Sequence, residues 1–265
     1  MQSADGLVKT PRWTSGLVAG ARRLGSMLLD IAYPPVCLNC DAPTAAPDVL
    51  CANCFHRLRP ITAPLCPVLG LPFEVSLGPD MLSAEAIADP PPFSRARSAV
   101  VYNEVARTLV SRLKYGDRPE LARFCARLMA GAGHELWPGN PILVPVPLHP
   151  TRQRERRYNQ SAELAQALGK YTGLAVDTDL VRRIRKTRQQ VGLSGDGRQR
   201  NVAGAFAVHP DMLLRSKGRR VVLVDDVYTT GATTKAVTRV LLKGGAESVD
   251  VMSFARVVIG TELPI

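Results

Sequence analysis

Val221-Val222-Leu223-Val224-Asp225-Asp226-Val227-Tyr228-Thr229-Thr230-Gly231-Ala232-Thr233-Thr234 divides into three parts. The first four residues are aliphatic and mostly β-branched, as in a strand buried on both faces of a parallel sheet. Asp225 and Asp226 stand where that strand is expected to end. Thr229 to Thr234 form a hydroxyl-rich loop around one glycine, and the apolar residues of Lys235 to Leu242 recur at helical spacing. Strand, loop and helix in this order bring backbone N–H groups and a helix N-terminus to the carboxyl edge of a sheet, which favours a phosphate. Gly231 permits close backbone approach, and the threonines add donors. Two adjacent carboxylates would repel a phosphate; they suit neutral vicinal hydroxyls or a divalent cation. A phosphate, a diol and Mg²⁺ together describe a ribose 5-phosphate group. The bland alternative is a buried strand followed by an ordinarily capped helix. Such a strand rarely ends in Asp-Asp followed by Thr-Thr-Gly-Ala-Thr.

The same run resembles the phosphoribosyl-diphosphate (PRPP) loop of type I phosphoribosyltransferases. The resemblance implies that Asp225 and Asp226 read the ribose hydroxyls, and that Thr229, Thr230, Gly231, Ala232 and Thr233 bind the 5-phosphate. Tyr228 stands where many members have an aliphatic residue, a mild departure that leaves the phosphate ligands untouched.

Around this stretch, from Arg95 onward, β and α patterns alternate. Strands are expected at Ala96 to Tyr102, Pro141 to Pro147, Val202 to Val208, Val221 to Val224 and Ser248 to Phe254. Helices are expected at Asn103 to Tyr115, Glu120 to Leu136 and Asn159 to Tyr171, with Asn103 as an N-cap and Cys125 in the core. This is an α/β class pattern: a mainly parallel sheet flanked by helices. The prolines of Pro141 to Pro147 favour an edge or a strand end. The loop after that strand carries Arg152, Arg154, Arg156 and Arg157, at the same sheet edge as the phosphate loop. Three readings stay open: neutralisation of a departing diphosphate by Arg152, Arg156 and Arg157, a solvated charged loop, or a nucleic-acid patch. Its position favours the diphosphate. Lys186 to Val202, with Thr187, Gln190, Arg198 and Asn201, is a long polar loop suited to closing over the site and excluding water.

The chain has 265 residues, enough for one large domain and a small one. A hydrophobic content of 46% with only 5% aromatics implies an aliphatic core. Net charge is +11, with arginine far ahead of lysine. That excess reads either as a solvated basic surface or as a partner that is a polyanion, a diphosphate or a nucleic acid. No run of ~20 apolar residues predicts a transmembrane helix. Ala21-Arg22-Arg23 interrupts any signal-like apolar stretch.

Towards the N-terminus, Cys37-Leu38-Asn39-Cys40 and Cys51-Ala52-Asn53-Cys54 provide four thiolates for a tetrahedral Zn²⁺. So apolar-poor a segment cannot fold on its own core, so the metal is expected to be structural and to supply much of the folding free energy. Paired cysteines without an export signal also place the chain in the cytoplasm. His56 is read as a surface residue or one lying just outside the ligands, because four thiolates complete the site. Cys66 has no partner at Cys-x-x-Cys spacing, since Leu69 holds that position, and no second zinc site is supported. Residues 1 to 13 read as disordered and Ser15 to Ala32 as a basic amphipathic helix, with Leu17, Leu24, Leu28 and Ile31 as a docking stripe. The expected organisation is an N-terminal tail and helix over 1–34, a zinc-binding module over 35–72, a Pro-rich linker over 73–94 and the phosphoribosyltransferase-like domain over 95–265.

The two Cys-x-x-Cys pairs join Leu113-Lys114-Tyr115, Val144-Pro145-Val146-Pro147-Leu148-His149, Arg157-Tyr158-Asn159-Gln160, Thr187-x-x-Gln190-x-x-Leu193, Arg198-x-x-Asn201-Val202 and the phosphate loop, in that order. Together they resemble the ComF family of competence and GntX-type proteins, over about residues 34 to 258. Many relatives carry a further Cys pair where this chain has Cys66 alone, and Arg-Gly-Phe-Asn-Gln where it has Arg157-Tyr158-Asn159-Gln160. The resemblance implies an N-terminal zinc module joined to a phosphoribosyltransferase-like domain. It also implies PRPP with Mg²⁺ as ligands, a role in DNA uptake and natural transformation, and a competence helicase as partner. Two functions follow as expectations. One is Mg²⁺-dependent transfer of phosphoribosyl from PRPP to an unnamed acceptor. The other is a non-catalytic PRPP sensor that binds single-stranded DNA.

Overall fold

The computed structural model describes residues 34–75, 78, 80–115, 119–148, 159–185, 204–209 and 213–258. The chain divides into two units, Met1–Cys51 and Ala52–Ile265. In the first, the described residues form a tight loop: Cys37 N–H donates to Ala42 O at 2.7 Å and Asp41 N–H to Cys37 O at 3.1 Å. Val36 and Pro43 pair across it as an isolated antiparallel bridge.

The second unit contains, in chain order, helix α1 (Ala52–Arg57), α2 (Ala84–Ala88), strand β1 (Ala96–Val101), α3 (Glu104–Tyr115), α4 (Pro119–Ala132), β2 (Ile142–Pro145), α5 (Gln160–Thr172), β3 (Val181–Arg183), β4 (Phe206–Val208), α6 (Leu213–Ser216), β5 (Arg220–Tyr228), α7 (Ala232–Lys243) and β6 (Ser248–Arg256). Four of the strands make one sheet in the order β1-β6-β5-β2, every pair parallel. Parallel neighbours require crossovers that cover both faces, and the strands are accordingly buried almost throughout. On one face Val221 and Leu223 of β5 share a core with Val237 and Leu241 of α7. Helices α4 and α5 pack on each other and against the sheet.

β2 is the sheet's edge, which explains its prolines. Val146 N–H donates inward to Val224 O at 2.9 Å, while Leu143 N–H points outward to Ala175 O, also at 2.9 Å. Pro145, two residues beyond Leu143, therefore lacks its N–H on the outer side, where no ladder is broken.

Some expectations need correcting. The strand expected at Val202 to Val208 is confined, among described residues, to β4. It pairs antiparallel with β3 in a separate two-stranded sheet and lies outside the main one. β3 itself was hidden in a polar stretch: Val181 and Arg183 are buried around an exposed Arg182, and the Arg183 guanidinium lies over the Phe206 ring, 5.3 Å from its centroid. Helix α4 ends at Ala132, and a 3₁₀ turn, His134–Leu136, replaces its expected last turn. Residues 59 to 94, expected to be irregular or linker, include α2 and bury Ile61, Cys66, Leu69, Ala86 and Phe93. The amphipathic stretch Ser15 to Ala32 lies outside the described residues. No helix among the described residues is long and apolar enough to cross a membrane.

Candidate phosphate and metal sites

β2 pairs with β5 only as far as Pro145 opposite Val224, whereas β6 continues alongside to Arg256 opposite Tyr228. The aspartates therefore lie inside β5, just past the point where its β2 pairing stops, at the sheet's carboxyl edge. That corrects the expectation of a strand ending at Val224. Asp225 Oδ1 accepts the Ser161 hydroxyl at 3.1 Å and the Asp226 N–H at 2.9 Å. Desolvation, reinforced by the Asp226 charge, pushes the Asp225 carboxyl up to about 7. Asp226 meets the Lys114 ammonium at 3.0 Å, with both side chains partly exposed.

Ser161 and Lys114 come from separate helices. Ser161 is in the first turn of α5, where the Asn159 side chain caps its N–H at 3.1 Å. Lys114 is in the last turn of α3, whose N-terminus is held by Asn103 Oδ1 accepting Ala106 N–H at 3.1 Å. Sequence reasoning missed both residues. Lys114 had a signal, since Leu113-Lys114-Tyr115 stands out as a motif; Ser161 had none beyond its place after a cap.

Thr229 and Thr230 lead into Gly231, which has φ of 72° and precedes α7. Only glycine takes this conformation freely, and a Cβ here would also collide with the Tyr228 hydroxyl. Gly231, the N-cap of α7, makes no side-chain cap hydrogen bond. Thr230 is exposed, Thr229 and Thr233 are half-buried, and Gly231 and Ala232 are buried. Thr234 and Lys235 turn inward: Thr234 Oγ1 donates to Gly231 O at 2.9 Å, and Lys235 Nζ meets Asp89 Oδ2 at 2.6 Å. Tyr228, the departure noted in the sequence, is buried edge-on to Phe93 with ring centroids 6.3 Å apart. The Arg256 guanidinium lies 4.3 Å from its ring centroid. Arg152, Arg156, Arg157, Thr187, Gln190, Arg198 and Asn201 fall outside the described residues.

The sulfur atoms of Cys37, Cys40, Cys51 and Cys54 all lie within 4.8 Å of one another. Burial pushes the Cys37 thiol up, but N–H donors from Cys51, Cys40 and Asn39 outweigh it and bring the thiol down to about 6. Such donors favour the thiolate, the form that binds a metal. The four-thiol set fits a structural Zn²⁺. His56 is exposed, as expected. Cys125 is fully buried, and desolvation raises its thiol far above the usual range, as for a core residue.

A double zinc ribbon domain matches residues 28–86, and a phosphoribosyl transferase domain matches residues 161–264. DNA utilization protein YhgH of Salmonella typhimurium is 33% identical over 235 residues, covering 85% of this chain and 99% of the relative. Competence protein F of Haemophilus influenzae is 36% identical over 165 residues, covering 58% of this chain and 69% of the relative. Competence protein ComFC of Bacillus subtilis is 27% identical over 240 residues, covering 83% and 95%. With a double zinc ribbon domain followed by a phosphoribosyl transferase domain, and with YhgH matched over 99% of its length, the chain belongs to the ComF family of competence and DNA utilization proteins.

Proposed function

We propose that the carboxyl edge of the sheet at Asp225 and Asp226 binds PRPP and that the chain transfers its phosphoribosyl group to an acceptor. The observation that carries this is the pairing of two half-buried carboxylates with an uncapped helix start five residues on. The Thr229–Thr233 loop takes the 5-phosphate through backbone N–H and hydroxyl donors. Asp225 and Asp226 accept the ribose hydroxyls. Transfer breaks the bond between ribose C1 and the diphosphate and forms one to the acceptor's nucleophile. The arginines of the 152–157 loop neutralise the departing diphosphate, and the 187–201 loop excludes water, which competes as nucleophile.

The family implies Mg²⁺, and the donor set fits it: two adjacent carboxylates facing one ammonium suit a hard divalent ion. Asp225 and Asp226 would hold it, directly or through the ribose hydroxyls, and it would neutralise diphosphate charge.

Protonation of Asp225 gives the test. Its carboxyl is raised to about 7, so below that pH the ligand-free site carries an extra proton that must leave before Mg²⁺ and the diol bind. Titration calorimetry with Mg²⁺ and PRPP is expected to show affinity rising up to about tenfold per pH unit from pH 5.5 to 7, then levelling. Proton release should accompany binding at pH 6.5 and vanish above pH 8. A flat profile, or no binding at pH 8, contradicts the reading.

A second reading, binding of single-stranded DNA, is favoured by the charge of +11 and by relatives named for DNA utilization and competence. Gel-shift titration should then show log affinity falling linearly with log salt, by about 0.7 per phosphate contact. Salt-independent or absent binding removes it.

A further inference from the structure

The knuckle at Cys37 has a second copy in the chain. In the first, Cys37 N–H donates to Ala42 O at 2.7 Å, Asp41 N–H to Cys37 O at 3.1 Å, and Thr44 N–H to Pro35 O at 2.9 Å. In the second, Cys66 N–H donates to Leu71 O at 2.8 Å, Gly70 N–H to Cys66 O at 2.8 Å, and Phe73 N–H to Pro64 O at 2.9 Å. The bridge Val36–Pro43 corresponds to Leu65–Pro72. Asp41 with φ of 60° corresponds to Gly70 with φ of 64°, where a Cβ would also strike the Ala96 carbonyl.

The correspondence extends to the other half of each ribbon. Cys51 N–H donates to Cys37 Sγ at 3.2 Å and is followed by helix α1. Ser83 N–H donates to Cys66 Sγ at 3.4 Å and is followed by helix α2. The positions of Cys37, Cys40, Cys51 and Cys54 therefore map onto Cys66, Leu69, Ser83 and Ala86.

We infer that the second ribbon of this chain is a metal-free copy of the first, folded by apolar packing where the first is folded by metal. A double zinc ribbon implies two metal sites, and the residues here do not fit the second. Leu69 and Ala86 carry no donor atom, and a neutral serine hydroxyl is a poor partner for Zn²⁺. Cys66 alone remains, its sulfur taken up by N–H donors of Leu69 and Ser83 and by the Ser83 hydroxyl, each at 3.4 Å. A cation already stands at this knuckle: Arg256 Nη1 donates to Leu69 O at 2.7 Å. A divalent ion would be repelled there.

The loss is tolerated because the copy has what a small metal module lacks. Cys66, Leu69, Ala86 and Phe93 belong to the same core as Val221, Leu223, Tyr228 and Val237. Burial against the sheet supplies the free energy that metal ligation supplies in an isolated ribbon.

Metal analysis of the purified full chain decides the matter. One zinc per chain is expected, kept in Cys66→Ala and lost in Cys37→Ser with Cys40→Ser. Two zincs in the unaltered chain, or loss of zinc from Cys66→Ala, overturns the inference. Leu69→Cys, Ser83→Cys and Ala86→Cys together should restore the second site. Reconstitution of that variant with Co²⁺ should roughly double the thiolate-to-metal absorbance per chain. A folded triple variant that still takes up one Co²⁺ refutes the mapping of ligand positions.

Discussion

Changing both acidic residues, Asp225→Asn with Asp226→Asn, should abolish calorimetric binding of PRPP while the protein still unfolds in one cooperative transition. The affinity loss follows from the partners removed. A hydrogen bond to a charged group is worth ~1.5–3 kcal/mol, so losing two such contacts weakens binding by about a hundredfold to ten-thousandfold. The fold should survive because what Asp225 contributes does not depend on its charge, and the partly exposed Lys114–Asp226 pair is worth little. Asp225 is raised to about 7, chiefly by desolvation, so its contribution to stability is fully present below the ordinary carboxylate range and lost as pH rises through about 7. An asparagine there keeps the oxygen that accepts from Ser161 and from the Asp226 N–H, and carries no charge. Above pH 7 the ligand-free variant should melt no lower than the parent. Unchanged PRPP affinity in the folded double variant would sink the proposed site, and a collapse of the melting transition would mean that the aspartates are structural.

How much of this was legible depended on where each signal resides. β5 could be read because a strand buried on both faces must be continuously aliphatic, and Val221 to Val224 are. The first ribbon could be read because four cysteines in two pairs have few other uses. The cap at Asn103 could be read because an N-cap is a local bond. The misses are the non-local features. Asp225 and Asp226 lie within β5 because β6 keeps pairing after β2 has stopped, which no local pattern records. Lys114 and Ser161 reach the aspartates from helices distant in sequence. β3 was masked because Arg183, charged in composition, is buried by stacking its guanidinium on Phe206. The second ribbon left only Cys66 as a signal, because its repeat is carried by backbone hydrogen bonds after three of four ligand positions had changed identity.

Stripping zinc from the chain should unfold the first ribbon and spare the sheet. Structural zinc in such modules contributes on the order of 10–16 kcal/mol of apparent binding free energy, which is the whole stability of a segment this small. Among the described residues of the first unit only Cys37, Leu38 and Leu50 are buried apolar side chains. They cannot offset the chain entropy of ordering the segment without the metal. The sheet is in the opposite position: β6 is buried along nearly its whole length and β5 over Val221–Val224, and their core includes α7 and the second ribbon. Prolonged chelation, or Cys40→Ser with Cys51→Ser, should therefore expose residues 35–50 to rapid cleavage in limited proteolysis read by mass spectrometry. The fragment from about residue 59 onward should stay intact and keep its cooperative melt. Equal protease resistance of the metal-free and zinc-loaded chains would show that the first ribbon also folds without its metal. Loss of the sheet's own melting transition on chelation would show that the sheet core is not self-sufficient, and with it the physical reason given for the second ribbon's independence of metal would fail.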